Sequence, residues 1–289
     1  MSTRLGVIYR PTFHPDGLRA TATAAEAAGV DELWVWEDCF QQGGIAQVAV
    51  ALASTERLSV GVGLVPAPLR NVAAAAMEFA TLEAMFPGRV RIAVGHGVQS
   101  WMQQAGAAVA SPMTLLREYV SALRELLAGG PVTVEGRYVR LSEVQLEFPP
   151  QRRLPILVGG TGPKTLRLAG EIADGVVVDS RYSTSTVLEA LGHVATGRTD
   201  AEDRPFSTVL FLVCAPGDDA HALLAEEAAR QEVPAGDVFG VGGSAEQIAS
   251  GLNPYREAGI DTIALQPIGA LDGMPEFIAA AGAVHRMSP

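Results

Sequence analysis

Short apolar runs alternate with amphipathic, Ala-rich stretches along the whole chain, and this alternation restricts the fold more than any other feature of the sequence. Residues 5–9, 33–36, 58–65 and 89–94 read as strands, the last nearly continuous in apolar side chains, as parallel strands buried on both faces are. Helices are predicted over 16–28, 45–56, 72–85 and 114–127. The first stops at Gly29 by C-cap logic, and the fourth carries Leu115, Leu116, Tyr119, Leu123, Leu126 and Leu127 on one face. Residues 132–146 break the rhythm, because two strands around Glu135-Gly136 read as a hairpin. Strands over 156–158, 176–179, 208–213 and 262–265 then resume it, with helices over 164–172, 186–195, 220–231, 244–258 and 276–284.

The fold expected is an α/β (β/α)8 TIM barrel with a β-hairpin excursion between the fourth and fifth units. Eight strands, each followed by a helix, fit within 289 residues, and such barrels typically occupy about 250. The open doubly wound sheet is the rival topology. No linker or composition shift divides the chain, so residues 1–289 are expected to form one barrel domain. A hydrophobic fraction of 48% is enough for a large core. The net charge of −11, with no basic cluster interleaved with aromatics, disfavours nucleic acid and anionic membrane as partners. No signal peptide or membrane-spanning run is visible, so a cytoplasmic location is expected. Cys39 and Cys214 have no metal-like spacing and read as small buried apolar residues.

In a barrel of this kind the functional residues lie just after each strand. The exits are Arg10-Pro11-Thr12-Phe13-His14, Trp36-Glu37-Asp38-Cys39-Phe40, Gly63-Leu64-Val65-Pro66 and Gly95-His96-Gly97-Val98-Gln99-Ser100-Trp101. The later ones are Gly159-Gly160-Thr161-Gly162-Pro163, Asp179-Ser180-Arg181 and Gln266-Pro267-Ile268. Glu37 and Asp38 are neighbours, and on a strand only one of them can face a given pocket. One reads as a pocket acid and the other as a capping or ion-pairing residue. His96 stands between two glycines that let backbone approach a ligand; it reads as a hydrogen-bond or proton donor, or as a structural histidine. His14 is either a pocket or a rim residue.

The run from Gly159 to Pro163 opens a helix, and free N–H groups there suit a phosphate or other anion. It is not a nucleoside triphosphate loop, because Pro163 stands where the glycine before the lysine belongs. A dinucleotide-binding glycine fingerprint at the first strand, a nucleophile elbow and a credible metal spacing are all missing.

Several longer stretches carry a resemblance. They are Ala24-Ala25-Glu26-Ala27-Ala28-Gly29-Val30-Asp31-Glu32-Leu33-Trp34-Val35; Thr55-Glu56-Arg57-Leu58 with Gly61-Val62-Gly63; and Thr81-Leu82 with Phe86-Pro87-Gly88-Arg89-Val90 and Gly95-His96-Gly97. Residues 155–158, Gly162-Pro163-Lys164, Ala173-Asp174-Gly175 and 242–259 continue the series. In this order and spacing the chain resembles, over nearly its whole length, the bacterial luciferase-like superfamily of flavin- and deazaflavin-dependent oxidoreductases.

The resemblance implies a barrel that holds coenzyme F420 or FMN with its ring in the mouth. It also implies hydride transfer between the cofactor and a small organic substrate, and a homodimer. It implies a cis peptide at Gly63–Leu64, in a bulge of the third strand that supports the ring. Gly63, Leu64, Val65, Gly95, Gly97, Gly160, Thr161, Gly162 and Pro163 would then contact the cofactor. Asp38 and His96 would be the polar, proton-handling groups near the ring, and His14, Glu37 and Trp101 would line the substrate pocket.

The chain departs from the family pattern in two places. Glu37-Asp38 replaces a common Asp-His pair. Val98 stands where a deazaflavin sugar-phosphate dehydrogenase would carry a catalytic Glu, so that reaction is not expected. Basic residues are almost all Arg, a GC-rich coding signature that leans the cofactor towards F420 over FMN. The alternatives are an FMN-dependent monooxygenase, a non-catalytic flavin-binding barrel, and a sugar-phosphate lyase or isomerase on the same fold.

Overall fold

Eight parallel strands close on themselves in the computed structural model, which describes residues 3–179, 184–198, 204–233 and 239–287. β1 (Arg4–Ile8) is followed by α1 (Leu18–Ala28), β2 (Glu32–Val35) by α2 (Gly44–Ala53), and β3 (Ser59–Pro66) by α3 (Val72–Met85). β4 (Val90–Gly95) leads to the short α4 (Gln99–Gln104) and the long α5 (Pro112–Ala128). β5 (Val132–Glu135) and β6 (Arg140–Val144) form a separate antiparallel hairpin between the fourth and fifth units. β7 (Ile156–Gly159), α6 (Pro163–Ile172), β8 (Gly175–Val178), α7 (Thr184–Gly197) and β9 (Ser207–Pro216) restore the alternation. Then come α8 (Ala220–Arg230), β10 (Val241–Gly243), α9 (Ala245–Gly251), α10 (Asn253–Glu257), β11 (Thr262–Pro267) and α11 (Met274–Met287). Around the barrel the order is β1-β2-β3-β4-β7-β8-β9-β11, with β11 pairing back to β1. Closure excludes the open doubly wound sheet.

Alternation along each strand divides the core in two. Outward residues such as Val7, Leu33, Val60, Ile92, Val158 and Leu210 pack against the helices. Inward residues Ile8, Trp34, Ala93, Leu157, Val177, Val209, Phe211 and Ala264 fill the barrel, so the interior is packed rather than hollow. Trp34 dominates this interior, and Gly61 is the space it requires: a Cβ at Gly61 would stand 2.5 Å from the indole. The Trp34 indole N–H donates to Glu32 Oε2 at 2.8 Å. Glu32, itself buried, pairs with Arg4 at 3.0 Å and Arg91 at 3.5 Å. This ion cluster closes the N-terminal end of the barrel and leaves the C-terminal end for ligand chemistry.

Three local features differ from the sequence reading. The helix expected over 244–258 is two helices, because Pro254 has no N–H for the ladder and restarts it as α10. β9 runs on to Pro216, and its last three residues pair with the unanticipated β10. Residues between them, including α8, are thus an excursion that leaves and re-enters at the C-terminal end of β9. Cys39 is half-buried rather than buried, whereas Cys214 is buried as expected.

Candidate active site

The register of β3 against β4 slips between Val62 and Val65, and the Gly63–Leu64 peptide inside this bulge is cis. A second cis bond, Cys39–Phe40, follows β2 and had no counterpart in the sequence reading. The bulge turns Leu64 towards the barrel axis, where it packs on the interior cluster together with Trp36. Leu64 leans across the neighbouring strand ends. A Cβ at Gly95 would stand 2.5 Å from Leu64 Cδ2, and one at Gly159 2.6 Å from the same atom. Val65, one residue on, is buried on the helix side. Trp36 meets Phe211 with ring centroids 5.9 Å apart, and Phe211 meets Trp34 edge-on at 5.6 Å. Leu64, Trp36 and Phe211 make an apolar floor for the mouth.

The wall above β4 and β7 is backbone-rich. Gly97 adopts φ +70°, open to glycine, and its Cβ position is crowded by Met102. Gly160 leaves room for Thr165, whose methyl would lie 2.4 Å from a Cβ there. Gly162 is the N-cap of α6, with Pro163 in the first turn and no atom within 4 Å of its Cβ position. Thr161 lies exposed between them. This loop and the first turn of α6 offer a favourable helix end to an anion.

His96 connects the two parts of this wall. Its Nδ1 lies 2.9 Å from the Gly97 carbonyl, which can only accept, so Nδ1 carries the proton. Its Nε2 lies 3.2 Å from the Thr165 hydroxyl in the first turn of α6. Both ring nitrogens are therefore engaged with the protein.

The two adjacent acids separate as alternation requires. Glu37 points away from the mouth and is buried against Arg70, which donates to both of its oxygens at 2.7 Å. Glu37 also accepts the Gly44 N–H at 2.7 Å. Burial pulls the Arg70 pKa down, but the Glu37 hydrogen bonds outweigh this and the net direction is up. Asp38 is half-buried, and its carbonyl accepts the Gln41 N–H in the turn that follows.

His14 is on the rim, exposed and 2.7 Å from Asp16, so the structure does not bring it to the floor residues. Trp101 is half-buried on α4 beside the buried Met102. Of the Asp179-Ser180-Arg181 exit, Ser180 and Arg181 lie outside the described residues. Sequence reasoning missed Phe211 and the role of Thr165. Period-2 alternation marks Phe211 as one-sided but does not say which side is the barrel interior. Among the described residues there is no group of three or more His, Cys, Asp or Glu suited to a metal ion, and no helix long and apolar enough to cross a membrane.

An apolar floor, a glycine-lined wall and a helix N-terminus fit a planar ring with an anionic tail: Leu64 and Trp36 would lie on the ring side and the Gly160–Gly162 loop on the tail side. A closed (β/α)8 barrel with this site at its strand ends is an enzyme-type cofactor barrel. The chain belongs to the luciferase-like monooxygenase family, whose model matches residues 2–234.

A 5,10-methylenetetrahydromethanopterin reductase of Methanolobus tindarius is 28% identical over 255 residues, covering 87% of this chain and 76% of the relative. An F420-dependent glucose-6-phosphate dehydrogenase of Nakamurella multipartita is 33% identical over 198 residues, covering 62% of this chain and 58% of the relative. Among solved structures, an F420-dependent secondary alcohol dehydrogenase in complex with an F420-acetone adduct superposes with a TM-score of 0.83 at 23% identity, covering 98% of this chain and 99% of that one. The oxygenating constituent of 3,6-diketocamphane monooxygenase from Pseudomonas putida, in complex with FMN, gives 0.81 at 16% identity, covering 99% and 98%. At these identities the two structures speak to the fold.

Proposed function

We propose that this protein is an oxidoreductase that passes hydride between coenzyme F420 and a small organic substrate, with reduced FMN as the alternative cofactor. The observation that carries the reading is the Gly63–Leu64 bulge, whose Leu64 side chain spans Gly95 and Gly159 to make an apolar platform. The F420-dependent relatives favour F420. The bound cofactor supplies the hydride chemistry.

The protein's own residues supply the rest. Leu64, Trp36 and Phe211 exclude water below the ring. The Gly160-Thr161-Gly162-Pro163 loop and the α6 N-terminus hold the anionic tail. His96, tied to Gly97 and Thr165, fixes the geometry between Gly95-His96-Gly97 and that loop. Asp38, whose neighbour Glu37 is taken up by Arg70, would exchange a proton with substrate, and Trp101 would close the α4 side. Glu37 acts through Arg70 to brace the β2 exit rather than through substrate.

We read the chain as one barrel domain and as a cytoplasmic homodimer. Supporting the dimer, α1, α2 and α3 present an apolar cleft with Val50 and Met85 exposed and Ala49, Ala53 and Phe86 around them.

Anaerobic fluorescence titration of the purified protein with F420 and with FMN tests the proposal. Micromolar binding of F420 and weaker binding of FMN is expected. The reverse order, with oxygen consumed on turnover, assigns the FMN monooxygenase alternative. Binding without turnover of any substrate assigns the non-catalytic one. No binding of either cofactor overturns the reading.

A further inference from the structure

The site described so far occupies the β3, β4 and β7 side of the mouth. On the opposite side, β1, β9 and β11 end in a different set of groups. Ile8 faces the barrel interior and Tyr9 the helices, so alternation returns Arg10 to the mouth side at the exit of β1. Its guanidinium stands 5.7 Å from the Phe13 ring and makes one long hydrogen bond, 3.4 Å, to the Gly269 carbonyl beyond β11. Arg10 has no carboxylate oxygen within 4.0 Å among the described residues, which sets it apart from Arg70, Arg117 and Arg124.

The acid nearest in charge, Glu227 on α8, is already committed. It is buried, held at both oxygens by Arg230, and accepts from Gln231 Nε2 at 2.6 Å. Burial pulls the Arg10 pKa down, and Glu227 and Arg230 act on it with opposite signs. Beside Arg10, Gln266 is buried near the end of β11 and faces inward. A half-buried, fork-shaped cation with most of its donors unspent is thus set on an acidic protein's ligand face. Its hydrogen bond to Gly269 is exposed, so the remaining donors are within reach of an incoming anion.

We propose that the β1–β11 side of the mouth is the substrate wall and that Arg10 recognises an oxyanion there, so that the substrate carries a carboxylate or a phosphate ester. This rests on the oxidoreductase reading for the word substrate; the anion site itself rests on Arg10 and its surroundings. Guanidinium geometry favours two parallel N–H···O bonds to such a group, which orients as well as attracts it. With the anion held at the β1 exit, the remainder of the molecule extends over Gln266 and Phe211 towards the Leu64 platform.

The test is calorimetric titration of the protein, with and without F420, with matched pairs: levulinate against 2-pentanone, and glycerol 1-phosphate against glycerol. In at least one pair the anion should bind about tenfold tighter than its neutral partner, and the pair that shows the preference identifies carboxylate or phosphate. Arg10→Gln should abolish the preference, and Arg10→Lys, which keeps the charge but loses the fork, should retain part of it. Equal binding of anion and neutral partner in both pairs, or a preference that survives Arg10→Gln, overturns the proposal. Failure of F420 to bind would overturn the cofactor reading alone, because the cofactor-free titration still reports on Arg10.

Discussion

The Arg70 guanidinium grips the Glu37 carboxylate at both ends, Nη1 to Oε2 and Nη2 to Oε1, each at 2.7 Å. Arg70 reaches Glu78 as well, at 3.3 Å. Removing one partner of a buried pair leaves the other charge uncompensated. Arg70→Met should therefore cost about 3 kcal/mol in urea unfolding, and Glu37→Gln should cost less because the amide still accepts one hydrogen bond. With substrate in hand, neither change should raise KM by more than the loss of folded protein explains. A KM effect in fully folded Glu37→Gln would place Glu37 in the substrate pocket after all.

Leu64 and Gly95 cannot both be larger than they are. A methyl at Gly95 would meet Leu64 at 2.5 Å and the Gly159 carbonyl at 2.9 Å. Gly95→Ala should cost about 1–3 kcal/mol of stability through overpacking and weaken cofactor binding. Adding Leu64→Ala should relieve only the Leu64 part of that strain, since the Gly159 carbonyl stays in place, and should not recover affinity, because the floor is then lost. Fluorescence titration and denaturant melts of the single and double variants check both halves. Recovery of affinity in the double variant would mean that the Leu64 side chain does not support the cofactor.

With both ring nitrogens engaged, His96 should act by holding the wall and not by moving protons. His96→Ala should weaken cofactor binding about tenfold, about the worth of one or two hydrogen bonds, and Thr165→Val should act in the same direction more weakly. Neither should remove a limb from the pH profile of kcat. A lost limb in His96→Ala would return the histidine to proton transfer.

Glu118 on α5 accepts the N–H groups of Arg137, Tyr138 and Val139 at 2.9, 2.8 and 3.0 Å, and so ties the hairpin tip to the barrel. Burial is the largest single influence and raises the carboxyl pKa, but the three backbone donors and Arg137 together outweigh it, and the net direction is down. A depressed carboxylate pKa stabilises the folded state above the unfolded value and loses that contribution as pH falls through the folded value. Glu118→Gln should therefore be less stable than wild type at pH 7 by about 1–2 kcal/mol, and the gap should close as pH falls through the folded-state value of the carboxyl. A constant gap across the range would show that the hydrogen bonds do not depend on the charge.

Much of this was legible in the residues. Alternation located all eight barrel strands, and the Glu135-Gly136 signal located the hairpin. The bulge at Gly63 and Leu64 came from resemblance, since nothing in the spacing of Gly61, Gly63 and Leu64 dictates a cis peptide. Parity of position said that only one of Glu37 and Asp38 could face a given pocket, but not which, nor that Arg70, 33 residues on, would claim Glu37. His96 was readable as a strand-end histidine. Its Thr165 partner, 69 residues away, was not, because such a contact exists only once β4 and β7 are neighbours. The split at Pro254 was a local signal outweighed by the apolar periodicity around it.

The excursion between β9 and β10 has a consequence for how such a protein changes over generations. Barrel closure runs through β8, β9, β11 and β1 and makes no use of β10 or α8. A lineage can therefore rewrite α8 without breaking the ring of strands that carries the glycine wall on the far side. One half of the mouth is built into the closure of the barrel, and the other is open to being refitted to new work.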